Sequence, residues 1–148
     1  MERFTGGFVM ISQKLKERIE ILRLQGEMRF VDRATEKEIT QFEKENRVRL
    51  PEKYKEWLLF SDGGECFLPA GVQFYGVKHK PIIDVNDKDR PDEKYVVIGA
   101  LAYGDPILFR KTKEQICVYN QAENRIEKDE VYEDFYTFLV DLPNLLGM

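Results

Sequence analysis

The apolar positions in the first sixty residues recur with helical spacing. Leu15, Ile19 and Leu22 fall at i, i+4 and i+7 behind Ser12, a residue type that caps helix starts, and Gly26 closes the run. Thr35 and Glu38 form a T-x-x-E capping box, which predicts a second helix burying Ile39 and Phe42 and fraying near Asn46. Pro51 suits a first helical turn, and Tyr54, Trp57 and Leu58 make one apolar stripe until Gly63 and Gly64 stop the helix. The period then changes. Residues 72–77, 95–100, 107–111 and 115–120 are β-branched or aromatic runs of strand length, and 111–114 is short enough to join the last two as a hairpin. A further short strand is expected around Ile126, and the polar, Pro91-containing segment 84–94 reads as an exposed loop. Phe135, Phe138, Leu139 and Leu142 return to helical spacing, with Pro143 near the end.

Helices, then consecutive strands, then one helix predict an α+β fold. Its mostly antiparallel sheet is packed by N-terminal helices and a C-terminal helix. No linker divides the chain, so residues 12–148 are expected to form one domain behind a leader at 1–11. The length of 148 residues fits that reading.

Charge narrows the function classes. The chain has 27 acidic and 23 basic residues, a net charge of −4 and a pI near 5.2, which disfavours nucleic acid as a partner because phosphates demand a basic face. The sign is unevenly distributed. Residues 1–60 hold 13 Lys/Arg and 11 Asp/Glu, whereas 61–148 hold 10 and 16. Much of the acidic excess lies between Glu123 and Asp134, and a second group comprises Asp84, Asp87, Asp89, Asp92 and Glu93. Such runs serve solubility and turn formation, or they steer a basic partner. No apolar run approaches the length of a membrane span, and the leader lacks the pattern of a secretion signal. Cys66 and Cys117 form no CxxC pair. Reduced thiols, a cytoplasmic location and no membrane partner are therefore expected.

The run from Thr35 to Gly64 resembles the SUKH superfamily, the Smi/Knr-like domains. The shared pattern is E-x-x-I-x-x-F-E, here Glu36, Ile39, Phe42 and Glu43. It continues as L-P-x-x-Y-x-x-W-L, here Leu50, Pro51, Tyr54, Trp57 and Leu58. A D-G-G turn at Asp62, Gly63 and Gly64 follows, with Asp where Asn is commoner. Downstream, Ile98, Gly99, Gly104 and Asp105 lead into a strand hairpin, and Phe135, Phe138 and Leu139 close the pattern. The resemblance spans roughly residues 12–142 and leaves the leader and the 84–94 loop outside it. Most of these residues look like fold: a proline fixing a helix start, aromatics filling a core, glycines permitting a turn.

The residues offer little for catalysis. His79 is the single histidine, and nothing local supports a Cys66–His79 nucleophilic dyad. Two cysteines and one histidine fall short of a zinc ligand set. Starting a calcium loop at Asp84 places Lys88, Asp89 and Tyr95 where an oxygen ligand, glycine and glutamate belong, so that pattern fails. Phosphate-binding glycine loops are absent from the sequence. The expectation is a non-enzyme with no cofactor and no metal.

The resemblance implies a bacterial immunity protein that binds and neutralises a cognate polymorphic toxin by stoichiometric contact. Many toxins of this kind are nucleases with basic substrate clefts, which the acidic half of the chain would complement. The expected partner-binding residues are Asp62, Glu65, Tyr75, Tyr103 and Asp105, with Glu127, Asp129 and Glu130 as steering charges. The protein itself is expected to be a monomer or weak dimer. A scaffold or regulatory adaptor, as among fungal cell-wall regulators of the superfamily, is the alternative.

Overall fold

The computed structural model describes residues 12–68, 71–78, 82, 95–111 and 113–147. The leader at 1–11, His79 and the segment 84–94 with its acidic group lie outside the described residues.

The helix starts carry caps that the sequence offers. The Ser12 hydroxyl accepts the Leu15 amide at 3.2 Å and opens α1 (Gln13–Gln25). Thr35 and Glu38 complete a reciprocal capping box on α2 (Glu36–Asn46), which ends with Arg47 in the left-handed region. Asp134 caps α4 (Phe135–Leu145) by accepting the Thr137 amide at 2.8 Å, and Pro143 lies inside that helix. For α3 (Glu52–Phe60) the sequence expectation shifts by one residue: Pro51 is the N-cap, not part of the first turn. Its ring carries no acceptor. Glu114, from a distant turn, takes the Glu52 amide at 2.8 Å instead.

The strands are β1 (Glu27–Arg29), β2 (Gly64–Leu68), β3 (Val72–Phe74), β4 (Tyr95–Leu101), β5 (Pro106–Arg110), β6 (Ile116–Asn120) and β7 (Arg125–Tyr132). They form one antiparallel sheet in sequence order, β1 to β7, so each strand pairs with its neighbours in the chain. Together with the four helices this is an α+β fold. β1 and β2 were not expected from the sequence, and β7 runs well beyond Ile126.

Alternation along the strands sorts side chains to two faces. One face carries Phe74, Val96, Ile98, Ile107, Phe109, Ile116 and Val118 into the main core beneath the helices. There Trp57 meets Phe74 and Phe135 edge-on at centroid distances of 5.4 and 5.8 Å, and Tyr54 meets Phe135 at 4.8 Å.

The family-like residues hold this arrangement together. Glu43 accepts the Leu50 amide at 2.7 Å and the Lys55 ammonium at 2.9 Å, tying α2 to the start of α3. The Trp57 indole N–H donates to the Gly63 carbonyl at 2.9 Å. Gly63 has φ +98°, and a Cβ there would lie 2.5 Å from the Phe74 carbonyl oxygen, so glycine is required on both counts.

Candidate interaction surface

Two turns at one end of the sheet bring the acidic residues together. The β4–β5 turn carries Tyr103 and Asp105, and the β6–β7 turn runs from 121 to 124. Asp105 joins them, its Oδ1 accepting the Gln121 amide at 3.1 Å while its carbonyl accepts the Leu101 amide at 3.0 Å. Asn120 donates to the Glu127 carboxylate, which also faces Arg125 at 3.5 Å.

The edge strand β7 adds the rest. Cys117 pairs with Val131 and Tyr119 with Ile126, so the four residues 127–130 stand opposite Val118 alone. This irregularity pushes Glu127, Lys128, Asp129 and Glu130 out of regular pairing. A charged, bulged strand is a poor template for edge-to-edge association. Glu130 is half-buried within reach of Glu127, Asp105, Asp129 and Asp141. Burial, followed by the repulsion of those four carboxylates, raises its carboxyl above the ordinary glutamate value. Tyr103 is raised in turn by burial and by the charges of Glu130 and Asp105, although 61% of its surface stays exposed. The Tyr132 hydroxyl donates to Asp141 at 2.7 Å, linking the cluster to α4.

Five of the eight expected contact residues therefore converge: Tyr103, Asp105, Glu127, Asp129 and Glu130. The other three part company. Asp62 is fully buried, and its carboxylate accepts the Val77 and Lys78 amides at 2.7 and 2.9 Å, so it holds a turn and offers no surface to a partner. Glu65 is on β2, five strands from β7 and about 24 Å away along the sheet, where it faces Arg29 at 3.9 Å. Tyr75, just past β3, is half-buried and packs against both the main core and the sheet face turned away from the helices. That face has its own small cluster of Val97, Leu108 and Cys117, flanked by Tyr75, Tyr95, Tyr119 and Ile126. Asp141, Tyr95 and Tyr119 were not singled out in the sequence. The alternation of Ile116 and Val118 with Cys117 and Tyr119 was the available signal for Tyr119; nothing local marked Asp141.

Burial pushes the Cys66 and Cys117 thiols up to about 12, so neither is an available thiolate near neutral pH. Among the described residues no group of three or more His, Cys, Asp or Glu is arranged to hold a metal ion. Among them, too, no helix is long and apolar enough to cross a membrane.

No curated protein matches the chain. A family model does, over residues 33–141, from just before α2 to within α4. That span holds every residue of the acidic cluster, the Trp57–Gly63 contact and the Glu43 tie, and the chain belongs to the SMI1/KNR4 family (SUKH-1).

Proposed function

We propose that this protein is an immunity protein of the cytoplasm, binding one cognate toxin stoichiometrically and doing no chemistry of its own. The observation that carries the reading is the convergence of Asp105, Glu127 and Asp129 on Glu130, with the exposed Tyr103 beside Glu130 and Asp105. Like charges held together at a cost to Glu130 would be relieved by a cationic partner. An exposed tyrosine among them provides the rigid aromatic contact on which interfaces commonly depend. A basic nuclease is the toxin class such a surface complements, and occlusion of its cleft is the mode of neutralisation. Family membership supports a protein partner in general.

Co-expression with the toxin encoded beside its gene is the test. The parent chain should restore growth and co-purify with the toxin in equal amounts, while Asp129→Lys/Glu130→Lys should do neither despite folding normally. Absence of rescue and of binding by the parent would overturn the reading. Recovery of several unrelated partners, with no toxin among them, would favour a scaffold or adaptor.

A further inference from the structure

The two edges of the sheet end differently. At β7 the bulged, acidic run 127–130 resists pairing with another strand. At the other edge β1 pairs with β2 alone, and among the described residues the backbone of 27–29 makes no hydrogen bond beyond that ladder. An edge strand turns alternate N–H and C=O groups outward without partners. Short edges fray easily, but this one is held in place. Met28 packs against the main core. Beside it β2 carries one extra residue, Phe67, which stays buried at a left-handed φ of +61°. A Cβ on Gly26 would come within 2.4 Å of the Phe67 ring, so the chain enters β1 flush against that ring. Gly26 is itself extended, with φ −177° and ψ 174°.

The side chains of this edge fit a second copy of themselves. Alternation sends Met28 to the core and leaves Glu27 and Arg29 exposed on the other face, with opposite charges either side of Met28. In an antiparallel pair with its two-fold axis at Met28, Glu27 of each copy stands directly opposite Arg29 of the other. A parallel, in-register pair would set like charge against like. Both groups have capacity to spare. Glu27 has no cationic partner among the described residues. Arg29, whose side chain is 72% exposed, meets Glu65 only at 3.9 Å. The most exposed large apolar side chain among the described residues, Leu24, lies three residues before Glu27.

We infer that β1 is a self-association edge whose occupant is a second copy of this chain, paired antiparallel about Met28 so that two seven-stranded sheets join into one. Charge order decides both the occupant and the register, because the attraction is realised twice in the two-fold arrangement and reversed in the parallel one. The acidic β7 edges then lie at the far ends of the joined sheet, about 60 Å apart at one strand spacing per step, and do not repel one another across the joint. The pairing is independent of what those ends bind. Three strand residues a side make a small contact, so half-association is expected at roughly 100 µM chain.

Sedimentation velocity of the full chain between about 10 µM and about 1 mM should show monomer passing into dimer. Amide chemical shifts that move with concentration should centre on residues 27–29. Glu27→Arg and Arg29→Glu should each weaken the dimer about tenfold or more, by setting like charges opposite one another. Mixed in equal amounts, the two variants should associate at least as tightly as the parent, because a basic edge then meets an acidic one. The double variant Glu27→Arg/Arg29→Glu should return to the parent value. Glu27 has no partner of its own to lose, so Glu27→Arg keeps its fold. If Arg29→Glu is destabilised by Glu65, Arg29→Gln takes its place, and its mixture with Glu27→Arg should still associate more tightly than Glu27→Arg alone. A monomer at every concentration, a dimer indifferent to Glu27→Arg, a mixture no tighter than Glu27→Arg alone, or shifts centred on the exposed Ile21 and Val140 of α1 and α4 would each overturn the inference.

Discussion

Asp62 accepts the backbone amide of Val77 at 2.7 Å, so a fully buried carboxylate just after α3 fixes the chain where it leaves β3. The other carboxylate oxygen takes the Lys78 amide at 2.9 Å. Asp62→Ala strands two part-buried donors, each worth about 1–3 kcal/mol when left unpaired, and should lower unfolding stability by about 2–4 kcal/mol. Asp62→Asn keeps one acceptor and should lose less. Chemical denaturation of both variants checks the order, and an unchanged Asp62→Ala midpoint would contradict the assignment.

Helix α3 depends on a residue more than sixty positions away. Glu114 accepts the Glu52 and Lys53 amides at 2.8 and 3.4 Å, replacing the side-chain cap that Pro51 cannot provide. Losing a cap of this kind costs about 1 kcal/mol, which is the expected penalty of Glu114→Ala. Glu114→Gln retains an acceptor but not its charge and should fall between. Thermal melts of the three proteins measure the series, and amide exchange at Glu52 and Lys53 should accelerate in Glu114→Ala.

These two contacts mark the limit of what sequence reveals. The helices were legible because their apolar spacing and caps lie within a few residues of one another: Ser12 with Leu15, Thr35 with Glu38. The central strands were legible because β-branched runs are bounded by turn residues. β1 escaped because Glu27, Met28 and Arg29 form a three-residue edge strand with too little alternation to read. β2 escaped because Gly63 and Gly64 look like a helix stop, although Gly64 also begins a strand. The acidic half of the chain was visible as a count. Its conversion into a patch needed the register of β6 with β7 and the Asp105–Gln121 contact, both long-range. Asp62 misled for a related reason: an acid before Gly-Gly looks exposed, and only the fold brings Val77 and Lys78 to it.

The acidic cluster and the helix caps oppose one another as pH falls. Glu130 is raised above its ordinary value of 4.5 by burial and by Glu127, Asp105, Asp129 and Asp141, with Tyr103 and Tyr132 also nearby. The folded chain therefore takes up this proton more readily than the unfolded chain, and acidification from about pH 7 towards about pH 4.5 should stabilise the fold. Asp134 behaves oppositely. Burial alone would raise it, but the Thr137 amide and hydroxyl, with Lys53 and Lys14, hold it below 3.8. Its contribution is present above 3.8 and is lost as pH falls through the lowered value. Melting temperature against pH should pass through a maximum on the acid side of neutrality. Glu130→Gln should flatten the rise, Asp134→Asn should soften the acid loss, and a monotonic parent profile would refute the opposition.

Steering and anchoring should separate in the kinetics of toxin binding. Asp105→Asn keeps an oxygen for the Gln121 amide, and Asp129→Asn and Glu130→Gln remove charge with little change in shape, so the triple variant tests long-range attraction alone. Its association rate should fall about tenfold at low salt, with the deficit fading towards 1 M salt, where the screening length shrinks to about 3 Å. Tyr103→Ala removes an exposed ring at the tip of the β4–β5 turn and leaves those carboxylates in place. Its effect should appear mainly in dissociation, about fivefold or more faster, and should persist at high salt. Stopped-flow association and dissociation measured across a salt series resolve the two contributions. If the triple variant slowed binding equally at every salt concentration, the cluster would be acting through local contacts and not through its field, and the order of importance between the acids and Tyr103 would reverse.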